Sequence, residues 1–168
     1  YAMIQRLVGS EMCTRDRDVG GLLSWKKEGE KHAFNPETIS LLQHSTIKKD
    51  YNLIKNLNEL KKIVKECKLN KIYSFDTETT SLDFHKAELV GFSLSYKNNL
   101  SFYCPLTHNS ADDINLPFDE ALDILRQLLE DKSLTVIGQN LKYDINVLKK
   151  YSMFFKNRIE DTMLMSYV

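Results

Sequence analysis

Two acidic residues, Asp76 and Glu78, stand two positions apart at the end of an apolar run. Side chains of a β-strand alternate between its faces, so a strand here would direct both carboxylates to one face of a sheet. Like charges at that spacing repel unless a cation neutralises them. The pattern indicates either a cation site or two exposed acids at a strand end. The hydroxyl residues and isolated leucine that follow, from 77 to 82, favour close approach of a polar ligand.

A second polar cluster, Gly138-Gln139-Asn140-Leu141-Lys142-Tyr143-Asp144, lies where a short apolar run gives way to helical spacing. Asp144 then falls in the first helical turn. One interpretation is helix capping, with Asn140 as the N-cap residue and Asp144 as an acid favoured by the helix dipole. The other is that Asp144 joins Asp76 and Glu78 in one site. The residues alone leave both interpretations open.

The spacing of apolar residues predicts the elements that position these groups. Asn98-Asn99 is a hairpin turn signal, and the acids are expected to leave the edge strand of the first hairpin. The order indicates an α/β fold with a mixed sheet flanked by helices. The predicted elements are a helix from about Asn56, strands at Lys71–Phe75, Leu89–Tyr96 and Leu100–Leu106, a helix at 118–131, a strand at Leu134–Ile137, a helix at Lys142–Tyr151, and a helix from Asp161.

The composition limits the function classes. The 23 basic residues balance the 23 acidic ones, so no global positive field attracts nucleic acid, and a polyanion must be held locally. No apolar run approaches the ~20 residues that span a bilayer. The three cysteines are widely separated, which argues against a disulfide framework or a zinc site and favours the cytoplasm. The four histidines (His32, His44, His85, His108) are scattered and are expected to be ordinary surface residues.

The chain divides into two regions. Four of the six glycines lie in the first 29 residues, among mixed charges. Residues 1–45 are therefore predicted to be a connector, poorly ordered, and residues 46–168 the functional domain. Because the chain opens with a tyrosine and stops within an apolar helical run, we expect it to be a fragment of a longer protein.

Three ordered motifs resemble the 3′–5′ proofreading exonuclease domain of bacterial DNA polymerase I, in the DnaQ-like DEDD superfamily. They are Phe-Asp-Thr-Glu-Thr at 75–79 with Ser81-Leu82-Asp83, the cluster at 138–144, and Asp-Thr-Met-Leu at 161–164 followed by Ser166-Tyr167. The resemblance implies a ribonuclease H-like fold, C-terminally truncated, and hydrolysis of the terminal phosphodiester at a DNA 3′ end.

The resemblance also implies two divalent cations, Mg²⁺ or Mn²⁺, which activate a water and neutralise the phosphate. Carboxylate oxygens suit these ions. By this resemblance Asp76 bridges both ions, Glu78 ligates the ion that activates the water, and Asp144 holds the second ion, directly or through water. Two ions are balanced by three carboxylates and one phosphate.

The nucleic-acid contacts implied are Thr79, Leu82, Gln139, Asn140, Lys142 and Tyr143, with Leu82 wedged against the terminal base and Lys142 on a phosphate. Alternatives stay open for three of them. Leu82 is otherwise turn packing, Tyr143 a core aromatic and Lys142 a solvated helix residue. Asp161 is assigned to helix capping. The expected partners are a single-stranded DNA 3′ end and a polymerase domain of the same parent chain, in a monomer of the bacterial nucleoid with no membrane contact.

Three other functions compete with this prediction. They are a ribonuclease D-like RNA exonuclease, a noncatalytic single-strand-binding module, and a degenerate exonuclease kept as a structural spacer. The presence of all three acids argues against the spacer.

The family's last motif, Tyr-x-x-x-Asp, does not follow Asp144 in these 168 residues. We therefore predict that the 168-residue polypeptide is close to inert, because the water-activating ion has one ligand fewer and no orienting hydroxyl. The measurement is digestion of 5′-labelled single-stranded DNA with Mg²⁺ at catalytic protein concentrations. Rapid Mg²⁺-dependent digestion would contradict the prediction.

Overall fold

The computed structural model describes residues 50–109 and 114–167. The predicted connector at 1–45 lies outside the described residues. The described elements are β1 (Asp50–Leu53), α1 (Leu57–Asn70), β2 (Ile72–Thr79), β3 (Leu89–Lys97), β4 (Leu100–Pro105), α2 (Phe118–Leu129), β5 (Thr135–Gly138), α3 (Leu141–Lys149), β6 (Arg158–Asp161) and α4 (Thr162–Met165).

The six strands form one mixed sheet in the order β1-β4-β3-β2-β5-β6. β2, β3 and β4 are antiparallel neighbours, whereas β1 pairs with β4, β5 with β2 and β6 with β5 in parallel. The α/β prediction is confirmed. The expectation that the acids leave an edge strand is wrong, because β2 has hydrogen-bonded neighbours on both sides. Ser74 of β2 is paired on both sides, whereas Asp76 and Glu78 pair with β3 alone.

Helix α1 shows why the local sequence folds as predicted. The Asn56 side chain accepts a hydrogen bond from the Glu59 amide at 3.0 Å, and the Glu59 carboxylate accepts one from the Lys55 amide at 2.8 Å. This reciprocal arrangement satisfies amides that a helix start leaves unpaired. The helix ends at Lys71, whose φ of 65° is left-handed. Its buried residues are the apolar ones that the spacing predicted, Leu60, Ile63, Val64 and Cys67.

The core lies between one face of the sheet and helices α1 and α2. Phe75 of β2 and Phe92 of β3 contact each other with ring centroids 6.1 Å apart, and both are buried with the leucines of α2. Burying one such side chain contributes about 1.5–3 kcal/mol. The main hydrophobic cluster thus includes the β2 side chains that point away from the acids.

The edge strands β1 and β6 were not predicted. Each has four residues, and exposed or half-buried positions predominate in both, so neither needs the alternation of apolar residues that reveals a half-buried strand. Two bounds differ by more than two residues from the predicted ones. β2 continues through the acids to Thr79, and the predicted terminal helix is a single turn, Thr162–Met165. Within the described ranges, no helix is long and apolar enough to cross a bilayer.

Gly138 ends β5 in a space too small for a side chain. A β-carbon there would lie 2.5 Å from Leu141 Cδ2 and 2.8 Å from the Phe75 carbonyl oxygen. We expect Gly138→Ala to lower the free energy of unfolding by about 1–3 kcal/mol, because backbone or Leu141 must move. Urea unfolding measures this loss, with the exposed residue change Lys132→Ala as control. Equal stability of Gly138→Ala and the parent chain would show that the contact relaxes without cost.

Candidate functional site

Asp76 and Glu78 lie on the same face of the sheet, as predicted. In the ladder between β2 and β3, Asp76 is opposite Ser93 and Glu78 is opposite Gly91, and directly opposed residues share a face. Asp76 is exposed as a whole residue, although protein atoms surround most of its carboxyl group, and Glu78 is half-buried. The residues opposite both acids are small, and the Tyr103 hydroxyl lies directly over Gly91.

Asp144 reaches the same strand because β5 is shorter than β2. The ladder between them ends at Ser74 and Ile137, and after Gly138 the chain turns into α3. The amide of Thr77, which lies between the two acids, donates instead to Asp144 Oδ1 at 2.9 Å. The Thr77 hydroxyl donates to the same oxygen at 2.5 Å. Asp144 is only 2% exposed, so these bonds replace hydration that the carboxylate has lost.

Asp161 sets the start of α3. Its carboxylate accepts hydrogen bonds from the Asn140 amide at 2.9 Å and the Leu141 amide at 2.8 Å. It also caps its own helix α4 through the Met163 amide at 2.9 Å. The capping role predicted for Asp161 is confirmed. Asn140 takes the N-cap position of α3, as the capping interpretation expected, but without a capping bond from its side chain. It adopts a left-handed conformation, with φ of 58°.

Burial and nearby acids raise the proton affinity of Asp76 and Asp144. Burial raises the pKa of Asp76 from 3.8 to about 7, and the negative charges of Asp144 and Glu78 add to this shift. Burial also raises the pKa of Asp144 to about 6, although the bonds from Thr77 oppose the increase and the charge of Asp161 adds to it. The folded chain thus concentrates negative charge that a proton or a cation would neutralise.

A divalent cation fits this donor set in part. Asp76 and Glu78 offer hard oxygen atoms from adjacent positions of one face. Asp144 differs, since one of its oxygens already accepts both bonds from Thr77. Within residues 50–109 and 114–167, no three His, Cys, Asp or Glu side chains form a group that could hold a metal ion by themselves. Coordination of a cation by Asp76, Glu78 and Asp144 therefore stays a prediction.

The turn after β2 brings Thr79 and Ser81 against Tyr143. The Tyr143 hydroxyl hydrogen-bonds Thr79 Oγ1 at 2.5 Å and donates to the Ser81 carbonyl, which fixes the turn to α3. Tyr143 is half-buried and lies outside the main hydrophobic cluster, so the core-aromatic alternative is wrong. Leu82 is 80% exposed, so turn packing is wrong as well.

The remaining predicted contacts lie at the start of α3. Gln139 is exposed, and its side-chain oxygen accepts a hydrogen bond from the Thr162 hydroxyl. Lys142 is exposed, and its contact with a phosphate stays a prediction.

Sequence reasoning missed four residues of this region. Thr77 binds Asp144, and Lys150 donates to the Ala87 carbonyl at 2.5 Å, holding the far end of the 80–88 turn. Tyr103 and His108 bond to each other at 2.7 Å on the acid face, so the assignment of His108 as an ordinary surface residue is wrong. Strand alternation places Thr77 on the face opposite the acids, so no pattern reveals its contact with Asp144. The Tyr103 and His108 spacing matches no regular period.

Comparisons with known proteins agree with this arrangement. A family model described as a 3′–5′ exonuclease matches residues 51–168. DNA polymerase I of Rhizobium leguminosarum is 39% identical over 136 residues, covering 70% of this chain and 13% of that protein. DNA polymerase I of Pseudomonas aeruginosa is 37% identical over 122 residues, covering 71% and 13%. Among solved structures, RNase D of Trypanosoma brucei has a TM-score of 0.56 at 15% identity, covering 68% of this chain and 38% of that chain.

The mixed six-stranded sheet flanked by helices is the fold of ribonuclease H-like DEDD exonucleases. Within that class, the chain belongs to the family of 3′–5′ exonuclease domains found in bacterial DNA polymerase I. It spans about an eighth of the length of these two polymerases, 13% in both cases. Exonucleases of this class are generally dependent on divalent metal ions.

The raised pKa values of Asp76 and Asp144 predict how pH affects the metal-free protein. Between about pH 4 and pH 7 the folded state binds more protons than the unfolded state, whose carboxyl groups titrate near 4. The free energy of unfolding therefore falls as pH rises through this window. We expect Asp76→Asn to reduce the fall and to be the more stable protein at pH 8, as measured by urea unfolding in EDTA. The control Asp123→Asn, at an exposed acid of α2, should keep the parent slope. An unchanged slope in Asp76→Asn would contradict the assignment.

Proposed function

We propose that this chain provides the proofreading site of a DNA polymerase I, where the terminal phosphodiester of a single-stranded DNA 3′ end is hydrolysed with two divalent cations. The observation that carries the proposal is the coupled set of carboxylates on β2 and α3. Asp76 has a raised pKa because burial and two neighbouring acids disfavour its charge. A cation removes this penalty, so the same feature that makes the metal-free site unfavourable favours metal binding.

Asp76 and Glu78 are the proposed direct ligands, and Asp144 is the proposed ligand of the second ion through water. When bound, the cations supply a hydroxide at neutral pH and counter-charge for the reacting phosphate. Thr77 keeps Asp144 in register with the two strand acids through its amide and hydroxyl. Asp76 and Glu78 pair with β3, and Thr77 between them is bonded to Asp144. The two acids therefore lose little freedom when a ligand binds.

The 80–88 turn is the proposed contact for the strand end. Leu82 offers an apolar side chain that is 80% exposed, and burying it against the terminal base would remove apolar surface from water. Thr79 and Tyr143 fix the turn, and Asn140, Gln139 and Lys142 line the start of α3 beside it. Such local contacts suit a chain with no net charge, since a few nucleotides of frayed strand need no extended basic surface.

DNA is the proposed substrate because the relatives at 37–39% identity are DNA polymerases. The likeness to RNase D at 15% identity concerns the fold. A proofreading exonuclease removes nucleotides that a polymerase has added, so we place the polymerase domain in the same parent protein and the activity in the bacterial cytoplasm.

The first test measures Mn²⁺ binding by electron paramagnetic resonance. We expect the parent chain to bind Mn²⁺ and Asp76→Asn to bind at least about tenfold more weakly. Losing a direct ligand lowers metal affinity at least as much as losing a residue that hydrogen-bonds to a ligand. Asp123→Asn, at an exposed acid on α2, is the matched control and should bind like the parent chain. Equal binding by the parent chain and Asp76→Asn would contradict the proposal.

A second readout separates catalysis from strand binding. With protein in excess over 5′-labelled DNA, shortening from the 3′ end should require Mn²⁺ and disappear in Asp76→Asn. An RNA of the same sequence should shorten more slowly. Metal-independent binding without any shortening would favour the noncatalytic binding module, and preferential loss of the RNA would favour the ribonuclease alternative.

A further inference from the structure

Tyr103 lies on the acid face of the sheet, in one row with Asp76. Ser93 of β3 pairs with Asp76 on one side and with Tyr103 of β4 on the other. Because directly opposed residues point to the same side, all three side chains rise from one face. Tyr103 is 8% exposed, yet it is absent from the main hydrophobic cluster on the other face. Its ring is therefore buried beside the acids rather than in the core.

The Tyr103 hydroxyl lies over Gly91, the residue opposite Glu78. A β-carbon on Gly91 would be 2.2 Å from this hydroxyl oxygen, so the phenol occupies the volume that a side chain would otherwise fill. β-Carbons of directly opposed residues are about 5 Å apart. The hydroxyl is thus within about 7 Å of the Glu78 β-carbon, which the carboxylate at the end of that flexible side chain is able to span.

His108 fixes the orientation of this hydroxyl. His108 Nε2 is 2.7 Å from the Tyr103 oxygen, and the two rings meet edge to face with centroids 5.7 Å apart. Asn115 holds the His108 backbone from both sides, since its side-chain oxygen accepts from the His108 amide at 3.0 Å and its side-chain nitrogen donates to the His108 carbonyl at 2.8 Å. These bonds fix the position of the half-buried His108 beside Tyr103.

We propose that Tyr103 is a positioning residue for Glu78, oriented by His108. In this arrangement His108 donates its Nε2 proton to the Tyr103 oxygen, and the Tyr103 hydroxyl proton is directed to the Glu78 carboxylate. A neutral tyrosine and histidine are both able to act in these roles. Successive hydrogen bonds of this kind strengthen each other, and such outer partners align ligating carboxylates.

This inference rests on the proposed function, because it assumes that Glu78 binds a cation. It adds what the acids alone do not provide. Asp76 is surrounded by acidic neighbours, whereas Glu78 lies beside the one tyrosine-histidine pair within the described ranges whose side chains hydrogen-bond to each other. Tyr103 and His108 thereby limit the orientations that the Glu78 side chain takes when it binds the cation.

The test is Mn²⁺ affinity measured by electron paramagnetic resonance. Tyr103→Phe keeps the ring and removes the hydroxyl, and we expect about tenfold weaker binding. His108→Ala should weaken binding in the same direction, whereas His108→Gln retains a donor near the same place and should restore most of the affinity. Tyr96→Phe is the matched control, because Tyr96 packs on Phe102 with centroids 5.7 Å apart, and its removal should change nothing.

A double-mutant cycle shows whether Tyr103 acts through Glu78. In a Glu78→Gln background, Tyr103→Phe should have no further effect on Mn²⁺ affinity. An equal loss in both backgrounds would overturn the inference, since the tyrosine would then act by general packing. If the parent chain binds Mn²⁺ and Tyr103→Phe binds equally well, the inference fails and the proposed function stands. If the parent chain binds no Mn²⁺, both fail.

Discussion

The interaction on which the site depends is electrostatic repulsion among carboxylates that the fold holds close together. Asp76 and Glu78 share a face of β2, and Asp144 is bonded to the residue between them. An unfolded chain would separate these charges, so hydrophobic burial elsewhere must offset the cost of gathering them. The raised pKa of Asp76 reflects that cost, because desolvation and the neighbouring acids disfavour its charged form. Sites with such shifts are often functional, because binding of a ligand, a metal ion or a proton neutralises the unfavourable charge.

A small difference in strand length makes the arrangement possible. β5 stops pairing with β2 at Ser74, which leaves the Thr77 amide for Asp144. Three local devices then bring the chain from β5 into α3. Gly138 permits close packing against Phe75, Asn140 takes a left-handed conformation, and Asp161 binds the first amides of the helix. Asp161 thereby also connects β6, a strand at the sheet edge, to the position of Asp144.

The sequence predicts the parts of this protein that have a strong period or a short-range chemical signature. The apolar spacing of α1, the Asn98-Asn99 turn and the shared face of Asp76 and Glu78 follow from local rules. β1 and β6 could not be predicted because exposed edge strands of four residues need no apolar pattern. The contact between Thr77 and Asp144 and the pair formed by Tyr103 and His108 depend on register between distant segments. No local property of those residues encodes that register.

Asp76 and Glu78 are proposed to bind a divalent cation that neutralises their adjacent negative charges. Anomalous scattering from a crystal soaked in Mn²⁺ tests this proposal most directly. We expect a manganese peak within direct ligand distance of the Asp76 and Glu78 carboxylates, with Asp144 in contact through water and still bonded to Thr77. A well-ordered crystal with no peak at these two acids, or with manganese only at other carboxylates, would contradict the account.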